Sequence, residues 1–157
     1  MKQKLVSKNP PPTALAPFKA LCIKTGLKAT HQRLQIYDEM VKANDHPTAE
    51  ILFERLKEAM PTLSLDTVYR TLATFEQHHI IKRVKTDRHK TRYEAKMNQH
   101  HHFICQKCEA ITDFNWSAFD KDKLPEEVRK LGTIIDHSIT VTGICQNCSS
   151  RQLFSRR

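Results

Sequence analysis

The chain has 157 residues, 39% of them hydrophobic, which suits one large domain or two small ones, and seven Pro with only three Gly argue against a low-complexity chain. It has no run of about 18 apolar residues, and residues 1–17 lack the apolar centre of a signal peptide, so we expect a cytoplasmic protein without a membrane partner. The net charge of +9 is concentrated in residues 1–94, which carry 17 basic and 10 acidic residues, and this favours contact with a polyanion.

The first half of the chain shows the apolar spacing that is typical of short helices. After residues 1–12, which we expect to form a disordered tail, a first helix is predicted to end near Lys24. Thr30 and Thr48 are predicted to cap the second and third helices, and Pro61 is predicted to end the third.

A fourth helix is predicted to begin after Ser64, and its apolar residues recur at steps of three and four. One side of this helix is therefore buried, and the opposite side shows Tyr69 and Arg70. A strand-like hairpin with a basic turn follows over residues 80–94. Helices followed by a basic hairpin indicate a winged helix-turn-helix over residues 13–94, in which the fourth helix enters the major groove of DNA.

The second half of the chain, residues 95–150, is predicted to be a small α/β domain, so that the fold class is α+β. A basic tail over residues 151–157 completes the chain. The predicted elements of this half are strands over 101–105, 110–114 and 138–144 and a helix over 124–131.

Two C-x-x-C pairs in this half are separated by 36 residues. In a cytoplasmic protein such pairs are metal sites or redox pairs more often than stable disulfides. Four thiolates can complete the tetrahedral shell that Zn²⁺ favours, and a shell filled by protein ligands is structural. The sequence therefore predicts a structural zinc site on Cys105, Cys108, Cys145 and Cys148.

A run of three histidines indicates a second metal site. On a strand His100 and His102 share one face and His101 faces the other way. Such a run also occurs as solvated surface, so the spacing leaves both interpretations open. Imidazole and carboxylate donors without a thiolate suit Fe²⁺, Mn²⁺ or Zn²⁺. The further candidate ligands are His46, Glu94 and Asp113.

Five stretches resemble the ferric uptake regulator family of bacterial metal-dependent repressors, and the match covers about residues 18–149. They are GLKATHQR (26–33), HPTAE (46–50), SLDTVYRTL (64–72), HHHFICQKC (100–108) and GICQNC (143–148). The resemblance implies a homodimer with an N-terminal winged helix and a C-terminal dimerisation domain, bound to a pseudo-palindromic operator in double-stranded DNA. It implies structural zinc on the four cysteines and DNA contacts from Tyr69, Arg70 and Arg33. It implies a regulatory metal site on His46, Glu94, His100, His102 and Asp113.

The branch of the family is indicated by single residues. Asp113 stands where the peroxide-sensing branch (PerR) carries aspartate and the iron-sensing branch carries glutamate, whereas Glu94 departs from the peroxide branch. Resemblance to that branch implies that His46 or His100 is oxidised by peroxide at a regulatory Fe²⁺, and Mn²⁺ is the other metal expected there. An extra site of iron sensors is half present, with Asp120 and His137 matching it and Gln99 a poor ligand.

Other functions stay open as alternatives. An iron-responsive repressor of iron uptake genes is the first. The zinc-sensing branch places a cysteine in its regulatory site, and a zinc-responsive repressor is disfavoured because Cys22 is the one cysteine outside the two C-x-x-C pairs. A non-haem iron enzyme or a zinc-ribbon interaction module would belong to other classes. The sequence carries no G-x-G-x-x-G or G-x-x-x-x-G-K-[ST] fingerprint, so we expect neither an enzyme nor a small-molecule substrate.

Overall fold

The computed structural model describes residues 15–84, 86, 90–121 and 124–154, the last four of these for the backbone alone. The tail predicted over residues 1–12 and most of the basic hairpin turn lie outside these ranges. The chain divides into two compact units, Met1–Met97 and Asn98–Arg157. The division comes later than the boundary predicted after Glu94, because Ala95 packs against the core of the first unit. None of the helices in the described ranges combines the length and the apolar content needed to cross a membrane.

The N-terminal unit is a winged helix, as predicted. Its elements are α1 (Leu15–Thr25), α2 (His31–Lys42), α3 (Ala49–Leu56), α4 (Leu65–Gln77), β1 (Lys82–Val84) and β2 (Arg92–Glu94). The two strands form an antiparallel hairpin in which Lys82 lies opposite Glu94. The third helix is shorter than predicted, since it ends at Leu56, and Met60 reaches the core from the turn that follows.

Each of the three predicted caps is confirmed. The side chain of Thr30 accepts a hydrogen bond from the backbone of Arg33, and those of Thr48 and Ser64 accept equivalent bonds from the third residue beyond each of them. A hydroxyl in this position satisfies one of the N–H groups that the first turn of a helix leaves without a partner. The starts of α2, α3 and α4 are thus set by local chemistry.

The core of this unit fixes which side of α4 faces outward. Phe18 of α1 stacks on Tyr37 with ring centroids 5.0 Å apart and meets Phe75 edge-on at 5.7 Å. On α4 the buried residues are Val68, Thr71, Leu72 and Phe75. Because these residues occupy one stripe of the helix, Tyr69 and Arg70 lie on the opposite side and are exposed.

Loss of one cap should have a measurable cost. We expect Ser64→Ala to lower the free energy of unfolding of the N-terminal unit by about 1 kcal/mol, because the N–H of Thr67 loses its acceptor. Urea unfolding followed by circular dichroism measures this. Thr62→Ala, which removes a nearby exposed hydroxyl before the cap, is the matched control and should shift the midpoint little. Equal unfolding midpoints for the two variants would contradict the assignment of Ser64 as the cap of α4.

The C-terminal unit is built on a three-stranded sheet in the order β4-β3-β5. Its elements are β3 (His101–Cys105), β4 (Ile111–Phe114), α5 (Ser117–Lys121), α6 (Glu126–Arg129), β5 (Thr140–Gly143) and α7 (Gln146–Phe154). The central strand β3 pairs antiparallel with β4 and parallel with β5. The predicted α+β fold class is confirmed.

Several details of this unit differ from prediction. The helix predicted over 124–131 is a single turn, α6, and the strand predicted over 138–144 is limited to Thr140–Gly143. Helices α5 and α7 were not predicted, because α5 has five residues and α7 is mostly polar, so neither has a strong apolar period. The backbone of α7 runs through residues 151–154, so the first part of the predicted basic tail is helical.

Candidate metal centres and nucleic-acid surface

The parallel pairing of β3 with β5 brings the two C-x-x-C pairs to one edge of the sheet. Cys105 is the last residue of β3 and lies opposite Gly143, the last residue of β5, so both pairs follow strands that end together. The four Sγ atoms lie within 4.8 Å of one another, and Cys108 Sγ is 3.8 Å from Cys145 Sγ. A tetrahedron with Zn–S bonds of about 2.3 Å has edges of about 3.8 Å. The geometry fits a zinc ion bound by four cysteines.

The backbone around this group favours the thiolate form at one position. The N–H groups of Cys108 and Cys145 point at the sulfur of Cys105 and lower the pKa of its thiol to about 6. By contrast, hydrogen bonds from the Cys148 thiol to Cys145 and Cys108 raise its pKa to about 12. Zn²⁺ binds the thiolate form of cysteine, so a bound ion would displace the protons of these thiols.

A first pair of oxygen and nitrogen donors lies in the N-terminal unit. Nε2 of His46 is 3.2 Å from Oε2 of Glu94, and both side chains are about 95% buried. His46 adopts a left-handed backbone conformation with φ 50°, and its carbonyl accepts a hydrogen bond from Arg92. Glu94 ends β2, where its other oxygen lies 3.3 Å from Lys82 Nζ. The turn before Pro47 is thereby tied to the end of the hairpin.

A second group of donors lies in the C-terminal unit. Nε2 of His100 and Nε2 of His102 are 3.1 Å apart, and Asp113 Oδ1 lies 3.9 Å and 3.7 Å from them. The register of β3 and β4 explains why Asp113 joins this group, since Asp113 of β4 lies directly opposite His102 of β3. The predicted sharing of a face by His100 and His102 is therefore seen in the structure.

The second group fits a divalent metal ion. Neighbouring donors around an ion at about 2.1 Å lie about 3.0–3.4 Å apart, close to the separation of the two histidine nitrogens. Nδ1 of His100 is 2.8 Å from the carbonyl of Asn98, to which it donates its proton. This bond at Nδ1 orients the ring of His100, with Nε2 facing His102 and Asp113.

His101 faces the opposite side of the sheet. Its side chain is fully buried, with Nε2 3.2 Å from Asp120 Oδ1, and its Nδ1 accepts a hydrogen bond from the N–H of Ile139. His137 lies 3.1 Å from the amide of Gln99. Asp120 and His137, which match the extra site of iron sensors, thus each have a protein partner. The partner of Asp120 is His101, for which the sequence pattern predicted no role.

Two of the three residues predicted to contact DNA lie on the exposed side of α4. The hydroxyl of Tyr69 donates a hydrogen bond to Glu50, which raises the pKa of Tyr69. Arg70 forms an ion pair with Asp66, with 2.9 Å between Nε and Oδ2. Neither acidic partner was predicted to have a role. The HPTAE stretch contained Glu50, but its contact joins residues 19 apart and needed the packing of α3 on α4.

The third residue, Arg33, lies at the start of α2 and donates a hydrogen bond to the carbonyl of Lys28 at 3.0 Å. An open cavity of about 390 Å³ separates the start of α2 from α4, and Lys28, Arg33 and Arg70 line it together with polar residues. Cationic side chains around an open, polar groove suit contact with phosphate groups of nucleic acid.

Comparisons with known proteins agree with this arrangement. A family model described as the ferric uptake regulator family matches residues 24–142. The peroxide operon regulator of Bacillus subtilis is 29% identical over 130 residues, which cover 82% of this chain and 89% of the relative. The ferric uptake regulation protein of Neisseria gonorrhoeae is 34% identical over 131 residues, covering 81% and 90%.

The same similarity extends to solved structures. The structure of the ferric uptake regulator Fur of Helicobacter pylori, described as revealing three functional metal-binding sites, matches with a TM-score of 0.70. The sequence identity of this pair is 26%, and the match covers 86% of this chain and 91% of the other.

Proposed function

Because the chain belongs to the ferric uptake regulator family, it is a metal-dependent DNA-binding repressor, and we propose that the signal it senses is peroxide. The observation that carries this proposal is the donor group of His100, His102 and Asp113, which has two nitrogens and one oxygen and no thiolate. An aspartate at position 113 is the choice of the peroxide-sensing branch. The similarity to the Bacillus subtilis peroxide operon regulator supports the same reading.

The regulatory ion is proposed to bind all five candidate ligands, His46 and Glu94 from the first unit and His100, His102 and Asp113 from the second. Three imidazoles and two carboxylates suit Fe²⁺ or Mn²⁺, with Zn²⁺ as a possible surrogate, and the carboxylates neutralise a dication. Ligands from two units would hold those units at one angle. Metal affinity and DNA affinity would then rise together by the same factor.

Operator binding is proposed to use a homodimer. In the C-terminal unit several large apolar side chains are exposed, including Leu131 at 84% and Ile135 at 96%. Exposed apolar residues of this number suit a subunit interface. Two copies related by a two-fold axis would present two α4 helices to successive major grooves of a pseudo-palindromic operator. Tyr69 and Arg70 would face the bases, and Arg33 would face the phosphates.

The peroxide response is proposed to be an oxidation of His46 or His100. A bound Fe²⁺ would supply the one-electron chemistry that activates H₂O₂ beside its own ligands. One oxygen atom of peroxide ends on an imidazole carbon and the other leaves as water. An oxidised imidazole is a poorer ligand, so His46 would no longer help to hold the two units together and operator affinity would fall.

The test is operator binding in the presence of Mn²⁺ or Fe²⁺, each with and without H₂O₂. We expect both metals to support operator binding. Peroxide should abolish binding by the Fe²⁺ form and leave binding by the Mn²⁺ form intact. Mass spectrometry should then find one added oxygen on a peptide containing His46 or His100. DNA binding that is indifferent to chelation of the regulatory metal would contradict the proposal.

An iron-responsive repressor is the second candidate, favoured by the 34% identity to the Neisseria gonorrhoeae ferric uptake regulation protein. The same experiment separates the two. An iron sensor would bind its operator with Fe²⁺ and stay bound after peroxide, with no oxygen added to either histidine.

A further inference from the structure

One hydrogen bond connects the exposed side of α4 to another helix. The hydroxyl of Tyr69 donates to the carboxylate of Glu50, which lies in the first turn of α3. Tyr69 is 43% exposed, so its ring is free to contact DNA while its hydroxyl is held from the side. The other carboxylate contact on this surface, from Asp66 to Arg70, lies within one helix at the common i,i+4 spacing and is highly exposed. The Glu50 contact is therefore of a different kind, because it fixes a side chain of α4 relative to α3.

A second hydroxyl influences Glu50. The hydroxyl of Thr48 and the hydrogen bond from Tyr69 together lower the pKa of Glu50. Thr48 is 96% buried and also caps α3 by accepting from the N–H of Ile51. The Glu50 carboxylate thus accepts a hydrogen bond from α4 and is ionised at neutral pH.

The same stretch of chain leads directly to the first metal-ligand pair. Thr48 follows Pro47, whose carbonyl accepts a hydrogen bond from the N–H of Tyr93 at 3.1 Å. His46 comes before Pro47 and contacts Glu94. Within the N-terminal unit, the start of α3 therefore follows directly on the His46 turn and carries Glu50, the hydrogen-bond partner of Tyr69.

We propose that Glu50 is a positioning residue, which orients Tyr69 for base contact and couples that orientation to the His46 turn. The inference rests on the proposed function, since it takes His46 as a metal ligand and Tyr69 as a DNA contact. A tyrosine held in its binding orientation loses less rotamer freedom when DNA binds, and this raises affinity. Glu50 acts through Tyr69 and needs no contact with DNA of its own.

The experiment compares Glu50→Gln, Tyr69→Phe and the double variant in operator binding with Mn²⁺. Glu50→Gln keeps a carbonyl acceptor but removes its charge, and it is expected to weaken binding about 5- to 10-fold, the difference between a charge-assisted and a neutral hydrogen bond. In the Tyr69→Phe background the same change should cost less than about 2-fold, because the bond is already gone. Loss of a negative charge near DNA would by itself strengthen binding, so a purely electrostatic effect of Glu50→Gln would be opposite to the expected weakening.

The matched control is Glu54→Gln, which removes the same charge from the same helix, where Glu54 pairs with nearby Lys57. We expect wild-type affinity or slightly tighter binding from this control. The ratio of operator affinities with and without Mn²⁺ should fall in Glu50→Gln and stay unchanged in Glu54→Gln. Zinc content and the thermal melt of each variant show that it has folded.

Two results would overturn the inference: equal binding by Glu50→Gln and Glu54→Gln, or losses in the double variant that multiply as for independent sites. Either can occur while wild-type protein still needs Mn²⁺ to bind its operator, in which case the proposed function stands. If wild-type protein binds the operator equally well without metal, the proposed function itself has failed.

Discussion

Replacing His102 by alanine is expected to abolish metal-stimulated operator binding while the four-cysteine site keeps its zinc. His102 is central to its donor group, since its Nε2 lies 3.1 Å from His100 and 3.7 Å from Asp113. Changing residues that merely support a metal ligand costs about 10- to 100-fold in metal affinity, so loss of a ligand should cost at least about 100-fold. Metal titration of a gel shift at fixed salt measures the effect.

A folding defect must be separated from the loss of a ligand, because His102 is buried. His102→Gln keeps most of the side-chain volume and removes the imidazole, so it should show the same loss of metal response. His79→Asn is the control for removing a histidine, since His79 is exposed and asparagine tolerates its positive φ of 54°. A His102→Ala protein that binds its operator with an unchanged metal requirement would refute the assigned site.

Replacing Cys108 by serine is expected to remove structural zinc and to destabilise the C-terminal unit strongly. The described core of that unit is small, and the four-cysteine group joins the ends of β3 and β5. A structural Zn²⁺ contributes about 10–16 kcal/mol of binding free energy, much of which becomes folding free energy. We expect the C-terminal unit to melt at least about 15 °C lower and bound zinc to fall from about one per chain to none.

The control for this change is Cys22→Ala. Cys22 is 3% exposed in the core of the N-terminal unit, so its loss should lower stability modestly and leave zinc content at the wild-type value. Cys108 is exposed, so its replacement by serine removes little packing and should not destabilise the protein by that route. A Cys108→Ser protein with full zinc content would show that the ion is held elsewhere.

Local chemistry made several features of this protein predictable. The helix starts after Thr30, Thr48 and Ser64 depend on a hydroxyl and backbone N–H groups three residues away, so a short window of sequence contains all that is needed. The buried stripe of α4 follows from helical periodicity in the same way.

Features that depend on weak local signals were missed or misplaced. The spacing of Leu56 and Met60 predicts that both are buried, but α3 ends at Leu56 and Met60 reaches the core from the turn that follows. Helix α7 was missed because its sequence is polar and its first turn is occupied by the second cysteine pair. In both cases the apolar pattern reported burial but not backbone conformation.

The sequence by itself determined the donor atoms: four thiols in two pairs, two imidazoles on one face of a strand, and a net positive charge on the winged-helix half. Only the tertiary structure decided which of these atoms meet. Parallel pairing of β3 with β5 closes the cysteine group, register puts Asp113 opposite His102, and packing of α3 on α4 gives Tyr69 its partner Glu50. The physical reason is the distance along the chain over which each effect acts. Residue type and spacing act over one or two turns of a helix. Strand pairing and side-chain contacts join residues 11 to 48 positions apart, and no local periodicity encodes such contacts.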